Sequence, residues 1–145
     1  MPADAVTIRL VASPNNISTK YQAILTNLQE ICFESPSDRR QLGDSYWWLA
    51  YRNKKPVGFA GLKPDKYGNG FLCLAGVVPE ARGHGIHRRM ITARVKFGRQ
   101  LGLKRLYTYT KLNPASANSL IAAGFRAYLP PSMWAGDASY WQKGL

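Results

Sequence analysis

The chain has 145 residues, 46% of them hydrophobic, and its 20 Lys and Arg against 8 Asp and Glu give a formal net charge of +12. That length and apolar content fit a single domain over residues 1–145 with a core of its own, and they exclude a disordered tail. No apolar run approaches the roughly 18–20 residues that cross a bilayer, and residues 1–10 carry Asp4 without a basic start or a long apolar stretch. No signal peptide and no membrane partner are therefore expected, and the expected location is cytoplasmic.

Residues 5–11 alternate and are rich in β-branched side chains, which predicts a strand. After a turn at Pro14-Asn15-Asn16, Thr19 with Gln22 three residues on reads as a capping box. Ile24, Leu25, Leu28, Ile31 and Cys32 then follow at helical spacing. Residues 34–44 are polar and Pro-interrupted, a loop or short irregular helix. Three strand-like runs come next, at 45–51, 57–63 and 71–78. Short turns separate them, so they should form an antiparallel meander. The third is almost wholly apolar, which predicts a central strand covered on both faces.

Ile86, Met90, Ala93, Phe97 and Leu101 recur at helical steps as one apolar stripe, and Gly102 is placed to end the helix. Residues 104–110 alternate as a strand. Strand, helix, strand makes a βαβ unit, so this strand should run parallel to 71–78. Asn113-Pro114 opens a second helix as N-cap and first residue, running through 115–123 to Gly124. Residues 125–129 and 138–142 close the chain as strands.

The positive charge attracts polyanions: a phosphate-bearing small molecule, a nucleic acid or an acidic protein surface. Beyond Glu80 the only acid is Asp137. Cys32 and Cys73 make no disulfide framework and read as small core residues. His84 and His87 share one turn, no Cys/His ligand spacing is present, and no metal site is expected.

The chemistry-bearing segment is Arg82-Gly83-His84-Gly85-Ile86-His87, between the apolar run ending Val77-Val78-Pro79 and the first long helix. A helix start leaves N–H groups unpaired and carries partial positive charge, and glycines let backbone approach a phosphate. Together they make an anion nest, to which Arg82, Arg88 and His84 add side-chain donors. Two glycines making a plain strand-to-helix turn is the competing reading. The segment is not a Walker loop, since no Gly-Lys-Ser/Thr follows, and it lacks the third glycine of a dinucleotide fingerprint.

Over residues 46–125 the order of elements resembles the GNAT superfamily of N-acetyltransferases. Two motifs carry the resemblance. The family's Q/R-x-x-G-x-G/A turn is matched by Arg82, Gly85 and, imperfectly, His87; its N-x-x-A/S-x-x-L-Y-x-x-x-G-F helix is matched by Asn113, Ser116, Gly124 and Phe125. The resemblance implies an α/β (α+β) fold: a mixed, mostly antiparallel central sheet, helices on both faces and one splayed parallel strand pair. Acetyl-CoA would lie in the splay as cosubstrate. Gly76, Val77 and Val78 would pair with its pantetheine arm, and amides of Gly83, His84, Gly85, Ile86, His87 and Arg88 would hold its pyrophosphate. Asn113 and Ser116 would touch it from the second helix. The N–H of Val77 or Val78 would polarise the thioester carbonyl as an oxyanion hole does. A primary amine would attack directly, with no covalent enzyme intermediate.

The departures are informative. His87 stands where the family has Gly or Ala, as a ligand contact or an outward-facing helix residue. Leu120 occupies the place of the family's proton-donating Tyr, leaving Ser119, Tyr109 and Tyr140 as substitute hydroxyls. No carboxylate reads as a general base; Glu80 is the nearest acid. Trp47, Trp48, Trp134 and Trp141 line an acceptor pocket or pack in the core, with Tyr46 and Trp48 sharing one strand face and Trp47 the other. Alternatives within the resemblance are an enzyme acting on aminoacyl-tRNA or another nucleic-acid-linked amine, and a catalytically degenerate CoA-binding regulatory module. A second copy of the chain is a further candidate partner.

Overall fold

The computed structural model describes residues 5–145, so the part of the leader reading that rests on Met1 and Asp4 falls outside it. The sheet starts with β1 (Val6–Ala12), β2 (Tyr46–Arg52) and β3 (Lys55–Pro64), paired antiparallel. Next come β4 (Asn69–Phe71) and β5 (Ala75–Val77), both antiparallel to β3. Then β6 (Arg105–Thr110) runs parallel to β4, with Asn69 opposite Arg105 and Phe71 opposite Tyr107. On the far side of β6 lie β7 (Arg126–Ala127) and β8 (Ser139–Gly144), giving the order β1-β2-β3-β4-β6-β8-β7. Off this path, β5 pairs with β3.

The apolar run at 71–78 is therefore not one strand. Lys63 faces Phe71, but Ala60 faces Ala75, so three residues, 72–74, stand opposite two on β3. This is a bulge, which bends a strand and ends its pairing. Leu72 is the last residue tied to β6: its N–H donates to Tyr107 O at 3.0 Å and its carbonyl accepts from Thr108 Oγ1 at 2.8 Å. Beyond it β5 follows β3 away from β6, and a gap opens in the middle of the sheet.

Helices cover both faces. On one face α1 (Thr19–Cys32) buries Leu25 and Leu28 in the core that holds Trp47, Leu49 and Phe59. Its N-cap is Ser18 rather than Thr19: Ser18 is extended and its Oγ accepts from Tyr21 N at 3.2 Å, while Gln22 reaches back to Ile17 O. On the other face α2 (Ile86–Gln100) and α3 (Pro114–Ala122) pack against Trp48, Leu62 and Leu106. Tyr46 and Trp48 both meet Phe97 edge-on, at 4.8 and 5.4 Å, while Trp47 lies 6.3 Å from Phe59 on the opposite face, as strand alternation requires.

The buried face of α2 is Ile86, Met90, Ile91, Arg94, Val95 and Gly98. Leu101, expected in the stripe, is 39% exposed because it follows the helix end. Asn113 caps α3 as expected, its Oδ1 accepting from Ser116 N at 3.1 Å. The strand expected at 125–129 shortens to β7, with Pro130 and Pro131 unable to donate to a ladder. No helix among the described residues is long and apolar enough to cross a membrane.

Candidate active site

Two adjoining cavities occupy the gap. The outer one, about 590 Å³, runs from the start of α2 along β5 to α3. The inner one, about 420 Å³, lies between the bulge, β6 and the loop after α1. Phe33, Ala75, His87, Asn113 and Ser116 border both.

The outer cavity begins at a bare helix start. Gly85 is the N-cap of α2 at φ 76°, with no side-chain cap, and the first turn holds no acid. The first intrahelical bond there is Arg89 N to Gly85 O at 3.1 Å, so the amides of Ile86, His87 and Arg88 have no helical acceptor. Gly83 has φ 82°; both glycines serve left-handed backbone, and a Cβ at either would meet open space. Arg82 folds back, its Nε donating to Val77 O at 2.9 Å, which fixes the turn against β5.

Backbone direction along β5 follows from its pairing. Val78 N donates to Val57 O at 2.9 Å and Gly61 N to Leu74 O at 2.8 Å. Between these bonds Gly76 is paired with Phe59, so the peptide groups of Ala75 and Val77 turn away from β3 into the gap. The Val77 carbonyl bonded to Arg82 lies on that side. Of the two expected amides, Val77 thus has its N–H directed at the gap, and Val78 does not. Gly76 faces α1: a Cβ there would sit 2.8 Å from Phe59 Cε1 and 3.0 Å from Cys32 Sγ. It borders the cavity by being small, with its backbone pairs given to β3.

Of the residues expected around a cofactor, Gly76, Val77, Arg82, Gly83, Gly85, Ile86, His87, Arg88, Asn113 and Ser116 line the outer cavity. His84 is exposed and lines neither cavity, and Val78 is buried in the core instead. Among the substitute hydroxyls, Ser119 lines the outer cavity and Tyr109 the inner. Tyr140 lines neither: its hydroxyl donates to Gly136 O at 2.7 Å and accepts from Ala135 N at 3.0 Å, which ties down the turn before β8. Leu120 is buried and borders the inner cavity.

His87 is half-buried at the junction of the cavities, not turned outward. Burial, with the nearby Arg94 guanidinium, lowers its pKa from 6.5 to about 4, so the imidazole is neutral at pH 7. Both thiols are shifted up by burial, Cys32 despite the opposing effect of Arg82, the reverse of an activated nucleophile. Tyr107 is raised to about 12 by burial and by Asp65, whose carboxylate accepts its hydroxyl at 3.3 Å.

Residue-type reasoning missed the charged wall of the inner cavity. Arg94 is 2% exposed, its Nε donating to Met90 O at 3.2 Å and its Nη1 to Gly61 O at 3.1 Å. Arg40 lays its guanidinium 5.1 Å from the Phe71 ring centre. Its position is set by Gln29, 3% exposed, which accepts from Arg40 N at 2.8 Å and donates to Arg40 O at 3.3 Å. Lys111 stands over Tyr109; Trp134, 44% exposed, meets Phe71, Tyr107 and Tyr109 edge-on but lines neither cavity. Trp48 and Trp141, by contrast, are core residues.

The architecture recurs in solved structures. They include an IAA acetyltransferase from Bacillus cereus ATCC 14579, at 14% identity and TM-score 0.76 over 97% of this chain and 100% of that one. A Bacillus subtilis acetyltransferase in complex with CoA aligns at 13% identity and TM-score 0.73, covering 97% and 99%. The ribosomal-protein-S18-alanine N-acetyltransferase from Escherichia coli aligns at 15% and 0.70, covering 97% and 93%. At such identities the likeness is one of fold. No curated protein matches the chain in sequence. The family model described as acetyltransferase (GNAT) family matches residues 17–125, a span that takes in α1, the splayed strands, the bare start of α2 and the capped start of α3; the chain belongs to that family and is an acyltransferase.

Proposed function

We propose that the protein transfers an acetyl group from acetyl-CoA to a primary amine, the amine attacking the thioester directly. The observation that carries this reading is a continuous cleft. It runs from an uncapped, acid-free helix start, past an inward-directed strand amide, into a second cavity. The chemistry fits acetyl-CoA, which supplies an activated acyl group on an anionic carrier. The amides of Ile86, His87 and Arg88, with the Arg82 and Arg88 guanidiniums, suit its phosphates. Ala75 offers its N–H and carbonyl to its amide arm, and the Val77 N–H suits the acyl carbonyl as a polarising donor. Asn113 and Ser116 close the opposite wall from α3.

Proton handling follows from what borders the cleft. A thiol of pKa ~8.5 leaves without strong acid help, and Ser116 and Ser119 are hydroxyls that line the outer cavity. An amine that arrives neutral needs no base before it attacks, and the proton it sheds as the amide forms passes to the departing thiolate, which leaves as CoA thiol. Arg94, Arg40 and Lys111 make the inner cavity positive, which disfavours an ammonium and lowers the amine's pKa there. The raised thiols of Cys32 and Cys73 support direct attack over an acyl-cysteine.

The test is CoA binding and thiol release by the purified protein, with Gly85→Glu and Gly85→Ala compared. Both carry the backbone strain of a side chain at φ 76°, but only glutamate adds a negative charge at the nest. CoA affinity should fall at least about tenfold further in Gly85→Glu than in Gly85→Ala. Equal affinities in folded variants would show that the phosphates sit elsewhere. CoA binding with no thiol released to any amine would make the protein a degenerate, regulatory member of its family.

A further inference from the structure

The inner cavity holds a buried cation without a counter-charge. Arg94 is 2% exposed and borders this space, yet both its hydrogen-bond acceptors are neutral carbonyls. Its Nη2 has no hydrogen-bond partner among the described residues, and no buried side-chain nitrogen there is left unsatisfied, so Nη2 opens into the cavity. The one ion pair among the described residues is Lys63 with Asp44, a half-exposed carboxylate that also feels the charge of Arg40 but makes no ion pair with it or with Arg94. A buried charge left unpaired is strongly unfavourable, so such groups are normally paired. Arg40 and Lys111 border the same space, and the charges of Arg40 and Arg94 both bear on the Cys73 thiol between them. The single acid on the wall, Asp38, is exposed.

We infer that the acceptor amine carries a carboxylate on the same small molecule, as an amino acid does, and that Arg94 and Arg40 bind this carboxylate. The inference rests on the acetyltransferase reading above and narrows its substrate. Guanidinium forks match carboxylates with paired, directional donors. Gln29 fixes the Arg40 backbone, and the Phe71 ring lies 5.1 Å from its guanidinium, before any ligand arrives. The same cations repel polyamines and lysine-rich tails, whose charge is wholly positive. A plug beneath the bulge would require only donors to Gly61 O and Met90 O, which a neutral amide side chain could also supply; the charge is what that role leaves unexplained.

The experiment compares each of the common amino acids with its own amide, under saturating acetyl-CoA, by thiol release. The amide's amine is the less basic, so the intrinsic chemical bias runs against the expected result. For the preferred pair, kcat/KM should be at least about tenfold higher for the amino acid. Arg40→Gln and Arg94→Gln should each lower that ratio at least about fivefold. Arg40 lies in a surface loop, so its variant stays informative if Arg94→Gln fails to fold. A ratio near one in the wild type would overturn the inference while leaving the acetyltransferase reading intact. So would ratios unchanged in folded variants, or no thiol release with any amino acid while CoA binds. Absence of CoA binding would overturn both readings together.

Discussion

His87 sits where the two cavities meet, and its neutrality has a measurable consequence. In the unfolded chain a histidine takes a proton near pH 6.5; in the folded protein His87 does so only at about 4. Between these values the unfolded chain holds more protons, so stability rises with pH across that window. The contribution is complete above pH 6.5, declines as pH falls, and is gone below about 4. It amounts to about 2 kcal/mol between pH 7 and pH 4.5. His87→Gln keeps a hydrogen-bonding side chain and removes the titration. Thermal unfolding at the two pH values should therefore show wild type losing about 5 °C more than the variant. Parallel losses would mean that His87 takes its proton at the same pH in the folded protein as in the unfolded chain. The same residue shows why a one-position departure from a family pattern has structural weight. Where the pattern has Gly or Ala, the imidazole fills the seam, and any pantetheine arm must pass beside it.

At the scale of elements, the loop between α1 and β2 is part of the site because α1 grips it. Gln29 bonds both backbone groups of Arg40, and Arg39 donates to Phe33 O at 2.9 Å and Glu34 O at 3.1 Å. Gln29→Leu removes both Gln29 bonds and leaves a part-buried N–H and carbonyl unpaired, at about 1–3 kcal/mol of stability. The loop borders the inner cavity and touches the outer one only at Phe33. The expected kinetic signature is an acceptor KM raised about fivefold, with CoA affinity held within about twofold. A matched loss of CoA affinity would show that the loop serves both cavities.

Which features are legible in the sequence depends on whether their signals are local. The helix at 86–100, its parallel strand partner and the Asn113 cap all carry local signals: apolar spacing, a short connection, a Pro at N1. The gap itself carried none. Residues 71–78 are apolar whether or not Leu72, Cys73 and Leu74 bulge, because both faces are covered in either case. Arg94 was equally hidden, since an arginine on a basic helix reads as surface, and only the void under the bulge makes room for it. Val77 and Val78 were indistinguishable until the register against β3 fixed which peptide turns outward. In this fold the helix-start end of the cleft is written in glycines and caps, and the far end in tertiary packing.

For the whole molecule, +12 is a large charge to confine in 145 residues, and a single surface ion pair at 3.2 Å among the described residues does little to offset it. Self-repulsion destabilises the compact state, and the same field draws anions toward the start of α2. Salt screens both effects, since the Debye length is about 30 Å at 0.01 M and about 8 Å at 0.15 M. One change of buffer should therefore move two observables in opposite directions. Raising sodium chloride from 10 to 300 mM should increase the melting temperature of the free protein, because repulsion among Lys and Arg is relieved. Over the same range CoA affinity should fall about tenfold, because the phosphates lose long-range attraction while the backbone nest keeps its short contacts. Titration calorimetry beside thermal melts measures the pair. A CoA affinity indifferent to salt would locate its binding in the apolar stretch of the cleft, along β5, and strip the helix start of the role its bare amides suggest. A melting temperature that fell with salt would mean that the basic residues are held in favourable local pairings, and that the net charge does not measure the field the protein presents.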